Sequence, residues 1–436
     1  MKIIDKRSIF TAMLQDGPFS VGDAPPFAHP FSREVKEWVG KMQNNPLMKT
    51  KYRAVRNQIF DFLNVSTFDE ILSLVHSKKL RESTTDKAYT LLGNLFGIQG
   101  GVPVVDRHLH DYARTADDVV NSLRAKVLAP YSSHIETTNE IETIHDPVAL
   151  LLVLFDERFH RKARFEAKRK LVLMNLSGSI DQRERETQIE DKFANFLNFL
   201  NNFVWSPSSK IGDLEICYLH SRHSVEEFQC LDVNVLSEAE ALAVNPVAGE
   251  KLTLVKRRRF HDRGRDVPIY VTVRKKTPAA KVLKLLRKNE KNPATAVDDE
   301  LGLMAVLNSI SDVKRFLRHL TKSAVRADSF MTLEDISDTL TEGVYDGSAT
   351  GSSSKTAMLK FFARLGGMRV EFIIHTNISY LNYMNQRDVA HDEYEVKRIF
   401  DTGVAEFLFP SDIYKLDMEK IRKAQLTRFR KMIEEY

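Results

Sequence analysis

The sequence predicts an α+β protein in which a helical N-terminal region is followed by a domain built on a mixed β-sheet. In the first half, apolar residues recur at spacings of three and four through residues 51–64, 68–80 and 86–97, a pattern typical of amphipathic helices. In the second half, strand-like and helix-like segments alternate and end in a hairpin.

The first strand–helix–strand unit of the second half lies between residues 269 and 307. Residues 269–274 are rich in β-branched side chains, which favours a strand. Residues 275–289 are predicted to form a helix because Pro278 lies near the first turn and apolar residues follow at helical spacing. The apolar run 301–307 is the next predicted strand.

A second helix and a hairpin complete the predicted sheet. The helix begins at residue 311, with Ser311 or Asp312 as its cap, and carries an apolar face. Two further strands, 357–362 and 369–375, are joined by a turn at Gly366-Gly367. The residues predicted for the apolar face of the helix are Val313, Phe316, Leu317 and Leu320.

A change of composition at residues 206–209, Ser-Pro-Ser-Ser, predicts a domain boundary. We therefore expect a mostly helical region over residues 1–205 and a sheet domain over 251–410. Residues 206–250 are β-rich, and the sequence leaves open whether they bridge the two parts or open the sheet domain. A charged helix is predicted over 411–436.

Positive charge is concentrated in one short stretch of the chain. Residues 251–288 contain fourteen Lys or Arg and only two acidic residues, a net charge of +12 against +5 for the whole chain. A field of this size suits polyphosphate or nucleic acid. The alternative is a solvated charged face that binds no ligand.

Glu371 is the first candidate for chemistry, because it interrupts the apolar strand 370–376. An ionised carboxylate costs several kcal/mol to bury unless it is paired or binds a metal. A second acidic site, residues 298–300, precedes the strand 301–307. Carboxylates from two neighbouring strands can share Mg²⁺ with substrate phosphates. Alternatively, residues 298–300 form a solvated turn.

Three short sequence patterns follow one another in this region. Arg274, Lys276 and Lys284 fit R-x-K-x-x-x-S-x-x-x-K, with alanine in the serine position. Asp299 fits D-x-x-G-x-R through Gly302, with methionine in the arginine position. Residues 371–376, E-F-I-I-H-T, fit E-V-Q-I-R-T, with His375 replacing the arginine.

In the order and spacing of these patterns, residues 250–400 resemble the synthetase domain of the RelA/SpoT family of alarmone synthetases. The resemblance implies a nucleotidyltransferase-like fold for the sheet domain. It also implies transfer of pyrophosphate from ATP to the 3′-hydroxyl of a guanine nucleotide, or to RNA. The expected partners are therefore ATP and a nucleotide or RNA acceptor.

The resemblance also assigns roles to individual residues. Asp299 and Glu371 would hold Mg²⁺, and Glu371 would help to deprotonate the attacking hydroxyl. The basic residues of the first pattern, Arg274, Lys276 and Lys284, would clamp the ATP phosphates. His375 and Tyr345 would lie around the acceptor, Tyr345 in the region where the family has a stacking tyrosine. The alternative is a catalytically silent module that binds a nucleotide or RNA.

The chain is expected to be cytoplasmic. It has two cysteines, which give no disulfide framework and fit a reducing compartment. The first ten residues lack the apolar core of a signal peptide. The longest apolar run, residues 148–155, is too short to span a bilayer.

Overall fold

The structure, a computed structural model, describes residues 40–42, 44–207, 214–341 and 356–435. Helices dominate the first half and an eight-stranded mixed sheet follows, which confirms the predicted α+β class. The described chain divides into two compact units. The helical unit contains residues up to 186, 278–296 and 399–422, and the sheet unit contains 187–277, 297–398 and those from 423 onward.

The sheet has the strand order β2-β1-β3-β4-β5-β8-β7-β6. Neighbouring strands are antiparallel except β5 and β8, which are parallel and make the sheet mixed. The strands are β1 Glu215–His223, β2 Cys230–Ser237, β3 Glu250–Asp262, β4 Arg265–Lys275, β5 Leu301–Leu307, β6 Met331–Asp338, β7 Leu359–Leu365 and β8 Met368–Thr376.

The helices divide between the units according to where they begin. Those that begin in the helical unit are Pro46–Leu63, Phe68–His76, Lys78–Leu95, Val102–Ser122, Leu123–Val127, Ala129–His134, Asn139–Thr143, Pro147–Val153, Arg161–Thr187, Pro278–Lys288, Pro293–Ala296, Val404–Leu408, Ser411–Tyr414 and Met418–Glu434. Those that begin in the sheet unit are Ile189–Phe199, Leu200–Val204, Glu238–Leu242, Ile310–Arg326, Asn377–Asn385 and His391–Asp401.

Several predicted elements are confirmed. Strand β5 spans Leu301–Leu307 as predicted, the helix after β4 spans Pro278–Lys288, and the turn Gly366-Gly367 joins β7 to β8. The segments left open in the sequence, β1 and β2, are strands of the same sheet as β5.

The predicted cap of the helix Ile310–Arg326 is wrong. Ser309 caps this helix, because its backbone is still extended at the end of β5 and its hydroxyl accepts a hydrogen bond from the backbone N–H of Asp312. The Ser309 hydroxyl also donates to the Asp312 carboxylate at 2.8 Å. Asp312 therefore lies inside the first turn, where a negative charge favours the helix N-terminus.

One face of the sheet carries the main hydrophobic core of the sheet unit. Alternate residues of β5 and β8 point into it, and the helices Ile189–Phe199 and Ile310–Arg326 supply its other wall. At its centre, the Phe372 ring stacks on Phe361 at 5.0 Å between centroids and meets Phe196 edge-on at 6.2 Å. Phe196 of the helix Ile189–Phe199 is therefore part of this core.

The opposite face is covered at one end by the helix Asn377–Asn385. Its side chains Tyr380, Leu381 and Tyr383 pack on residues of β1, β3 and β5. Beyond this helix the face carries charged side chains, which build the site described below. The helical unit has a separate core in which Leu63, Ile71 and Val148 are fully buried.

None of the helices in the described ranges is both long enough and apolar enough to cross a membrane.

Truncating the central aromatic of the sheet core should strongly destabilise the sheet unit. Phe372 is fully buried, so Phe372→Ala removes stacked contacts and leaves a cavity, and we expect a loss of about 3 to 5 kcal/mol in the free energy of unfolding. Urea denaturation measures it. The matched control is Phe330→Ala, because Phe330 is 87% exposed. Equal losses in both variants would contradict the assignment of Phe372 to the core.

Candidate functional site

The candidate site begins with a row of three residues across the middle of the sheet. Gly302 on β5 lies opposite Arg274 on β4 in the antiparallel ladder and opposite Glu371 on β8 in the parallel ladder. Because side chains alternate along a strand, these positions face away from the aromatic core. The sheet thus places Arg274 and Glu371 on one face, separated by a residue with no side chain.

Gly302 leaves the space that the Arg274 side chain crosses. A Cβ atom at position 302 would lie 3.1 Å from Nε of Arg274, closer than an ordinary contact. Across this gap, the Arg274 guanidinium donates from Nη2 to Oε2 of Glu371 at 3.0 Å. The sequence patterns assigned Arg274 to ATP phosphates and Glu371 to Mg²⁺, and the structure shows that the two side chains contact each other directly.

Glu371 has a second basic partner that the sequence patterns missed. Nζ of Lys360, on β7, lies 3.0 Å from Oε1 of Glu371. Each carboxylate oxygen thus faces its own cation, although Glu371 is only 3% exposed. Two opposite charges offset the desolvation that would exclude an isolated carboxylate. The available signal was a lysine among apolar residues on the strand that pairs with Glu371 across the Gly-Gly turn.

A cavity of about 230 Å³ opens beside this ion pair. Arg274, Glu371 and Asp392 are its charged lining residues, and the rest of its wall is aromatic, apolar or polar. The other lining residues are Thr272, Gly302, Leu303, Met304, Ile373, Tyr383, Met384, His391 and Asp392. A mainly apolar pocket with a few convergent polar groups is the usual form of a small-molecule site.

Asp299 lies just before β5 and pairs with Lys276. The side chains of Asp299 and Lys276 are 13% and 18% exposed. The backbone N–H of Lys276 donates to the backbone carbonyl of Glu300 at 2.9 Å. Asp298 is more exposed and faces Arg369 at 3.6 Å. The structure thus brings Asp299 to Lys276, and Glu371 to Arg274 and Lys360. Asp299 and Lys276 do not line the cavity.

The roles of two predicted site residues, Lys284 and Tyr345, stay untested. Lys284 lies on the helix Pro278–Lys288, which belongs to the helical unit, and its role stays a prediction. Tyr345 lies outside the described residues, so its role is also untested.

His375 is fully buried on the same strand face as Glu371. Its Nδ1 donates to the carbonyl of Ala357 at 3.2 Å, whereas Nε2 has no partner within the described ranges. Burial lowers the pKa of His375 to about 4, against the smaller opposing effect of the Ala357 carbonyl. The imidazole is therefore neutral at pH 7, unlike the arginine of the family pattern.

A run of rings connects His375 to the cavity. The His375 ring lies 5.1 Å from that of Tyr383, which in turn lies 5.1 Å from His391. Tyr383 and His391 both line the cavity, whereas His375 contacts the Tyr383 ring without lining the cavity. Tyr383 and Asp392 were not assigned to the site from the sequence, because only the docking of their helices brings them to Glu371.

The carboxylates suit one mode of metal binding better than another. Within the part of the chain that is described, no group of three or more His, Cys, Asp or Glu side chains is arranged to hold a metal ion. A metal site whose ligands all come from protein side chains is therefore not found in that part of the chain. Mg²⁺ bound with a nucleotide needs only one or two carboxylates besides the phosphates. Asp299 and Glu371 are chemically suited to that mode.

No protein-family model matches the chain, and a search of curated proteins found no matching sequence.

Replacing His375 should reduce the acid sensitivity of the sheet unit. Because the folded pKa of about 4 is below the ordinary 6.5, the unfolded chain binds more protons between these values, and stability falls as pH falls through this range. At pH 5 this amounts to about 2 kcal/mol. In His375→Gln this contribution should vanish.

Urea denaturation of wild type and His375→Gln at pH 7 and pH 5 measures the difference. His223 is a matched control, because burial also lowers its pKa and His223→Gln should leave the His375 contribution unchanged. The same loss of stability on acidification in wild type and His375→Gln would contradict this account.

Proposed function

We propose that the sheet unit is a nucleotide pyrophosphotransferase, which moves pyrophosphate from ATP to the 3′-hydroxyl of a nucleotide or RNA acceptor. The observation that carries this proposal is the Arg274–Glu371 ion pair at the edge of a cavity large enough for part of a nucleotide. Together with the order of the three sequence patterns, it favours a phosphoryl-transfer site with a nucleotidyltransferase-like fold.

In the proposed reaction the acceptor hydroxyl oxygen forms a bond to the β-phosphorus of ATP. The bond between that phosphorus and the oxygen bridging it to the α-phosphorus breaks, and AMP leaves with the electron pair. The hydroxyl proton passes to Glu371 or to solvent. Such a step depends mainly on positioning and on neutralising charge on the transferred group.

Basic residues around the site suit the second requirement. Arg274, Lys276 and Lys360 each already contact a carboxylate, so each can exchange that contact for a phosphate oxygen without moving far. We assign Arg274 and Lys276 to ATP phosphates, as the resemblance implies, and add Lys360. The roles of Lys284 and Tyr345 stay predictions from the sequence, whereas His375 is fully buried and would act only behind the residues that line the cavity.

Mg²⁺ is the proposed cofactor, with Asp299 and Glu371 as its protein ligands. When bound with ATP it would neutralise charge on the phosphates. The protein residues would then orient the acceptor hydroxyl and exclude water from the cavity. We also propose a cytoplasmic location, which the free thiols of Cys217 and Cys230 support.

A second candidate is a non-catalytic module that binds a nucleotide or RNA. One observation favours it: both oxygens of Glu371 are engaged by cations, a state that suits an anion-binding surface as well as a reactive carboxylate. Binding to such a surface should depend strongly on salt and weakly on Mg²⁺.

The proposed activity can be tested with ATP labelled with ³²P at the γ or at the α position. GTP, GDP, ADP or bulk tRNA is offered as acceptor in the presence of Mg²⁺, and products are separated by thin-layer chromatography. Pyrophosphate transfer should place the γ label on the acceptor and convert the α label to AMP. Transfer of the terminal phosphate alone would yield ADP instead.

Glu371→Gln and Asp299→Asn should lower turnover by about a hundredfold or more, the usual scale for loss of a general base or a charge-stabilising group. Glu238→Gln, which changes an exposed glutamate in the same unit, should retain wild-type activity. Turnover that survives in Glu371→Gln would refute the site assignment. Binding of a fluorescent ATP analogue without any transfer would instead favour the non-catalytic module.

A further inference from the structure

One wall of the cavity begins at the sharp turn that precedes the helix His391–Asp401. His391 and Asp392, the first two residues of this helix, line the cavity. The turn before them contains Asp388, whose backbone has φ of +60°, a left-handed conformation that is uncommon for a non-glycine residue. Such a conformation persists where surrounding contacts fix it.

Glu393 is the central contact of this turn. It is 1% exposed, and its carboxylate accepts a hydrogen bond from the backbone N–H of Asp388 at 3.1 Å. Lys397 and Arg430 approach the other oxygen at 2.8 and 3.2 Å. A buried carboxylate with three such donors is strongly held, because losing one donor leaves charge without sufficient compensation.

Arg430 connects both ends of the turn. Its Nη2 lies 3.1 Å from Oδ1 of Asp388, before His391, and 3.2 Å from Oε1 of Glu393, after Asp392. The Lys397 amine makes the same two contacts from the helix itself, at 2.7 and 2.8 Å. His391 and Asp392 therefore lie between two carboxylates that are both contacted by the Arg430 guanidinium and by the Lys397 amine.

The helix segment that carries Arg430 is itself fixed to the sheet unit. Nε of Arg387, at the start of the turn, donates to Glu434 at 3.0 Å, and the Arg387 N–H donates to the carbonyl of Glu227 at 2.8 Å. The amine of Lys251 on β3 donates to the carbonyls of Ile433 and Glu435 at 2.5 and 2.8 Å. A cation at the last carbonyls is a favourable end for a helix.

We propose that Arg430 is a positioning residue for the cavity: by bridging Asp388 and Glu393 it fixes the turn that presents His391 and Asp392 to a bound substrate. Exposed ion pairs contribute little to stability on average, but one end of this bridge is the buried carboxylate of Glu393. The bridge also joins Arg430 to residues that lie 37 and 42 positions earlier in the chain. Loss of the bridge should loosen the wall while the Arg274–Glu371 pair stays intact. That the substrate is a nucleotide rests on the proposed function. That Arg430 fixes the position of the turn does not depend on it.

Arg430→Met removes the guanidinium and keeps an unbranched side chain. Hydrogen–deuterium exchange of residues 386–393 should become about tenfold faster, as expected when about 1.4 kcal/mol of local stability is lost. Residues 301–307 should exchange as in wild type. Arg430→Lys should restore part of the protection, because an amine can still reach one carboxylate. Arg428→Met is the matched control, since Arg428 is exposed and two residues away on the same helix.

The second measurement is the affinity for a fluorescent ATP analogue and, where turnover occurs, KM and kcat for donor and acceptor. Arg430→Met should weaken binding or raise KM by about tenfold and change kcat less, because the reacting groups around Glu371 are untouched. Arg430→Lys should recover part of the affinity. A merely structural role for Arg430 would instead reduce the amount of folded protein without changing the affinity of the folded fraction.

If Arg430→Met does not fold, Glu434→Gln tests the same clamp through Arg387, with a smaller expected effect in the same direction. Unchanged exchange over residues 386–393 in the folded variant would overturn the inference, as would an equal effect in Arg428→Met. A wild-type protein that binds no nucleotide would refute the proposed function alone, and the exchange measurement would then decide the positional inference.

Discussion

The candidate site depends on one constraint, the burial of an ionised carboxylate in the middle of the sheet. Glu371 is acceptable there because a guanidinium from β4 and an amine from β7 each reach one of its oxygens. The contact from β4 crosses the intervening residue on β5, a glycine, where a Cβ atom would lie 3.1 Å from Nε of Arg274 and crowd it. The ion pairs of the site therefore require the observed register of β4, β5, β7 and β8. A shift of one residue would move Glu371 into the aromatic core.

The parts of the fold that sequence reasoning predicted are those fixed by local patterns. Leu301–Leu307 is uniformly apolar between an acidic segment and Ser309, so its bounds as a buried strand follow directly. The Gly366-Gly367 turn supplies two left-handed residues, which select a tight hairpin. The cap at Ser309 was missed because Ser309, Ser311 and Asp312 can each cap a helix, and only the backbone conformation distinguishes them.

The site was predictable only where its residues share a strand register or a short spacing. Glu371 was identified because it is a charged residue inside an apolar strand, and Arg274 because its spacing to Lys276 and Lys284 fits the basic pattern of the family. The pairing of Lys360 depends on which strand lies beside β8, which is not determined by composition. Tyr383, His391 and Asp392 reach the cavity through helix docking, a consequence of tertiary packing that single-sequence patterns do not encode.

The same pairing explains how a site with several charged side chains can accept a charged ligand. Asp299 and Glu371 each have a basic partner, so the charges of these two carboxylates are compensated within the protein. On the proposed function, a metal–nucleotide complex brings a cation for the carboxylates and anions for the basic side chains. Binding would then exchange one set of ion pairs for another within the same volume, instead of adding new buried charge. That exchange requires the wall formed by His391 and Asp392 to keep its position while the ions change partners. This wall is held by the ion pairs of the buried Glu393, which do not involve Glu371 and would therefore persist during the exchange.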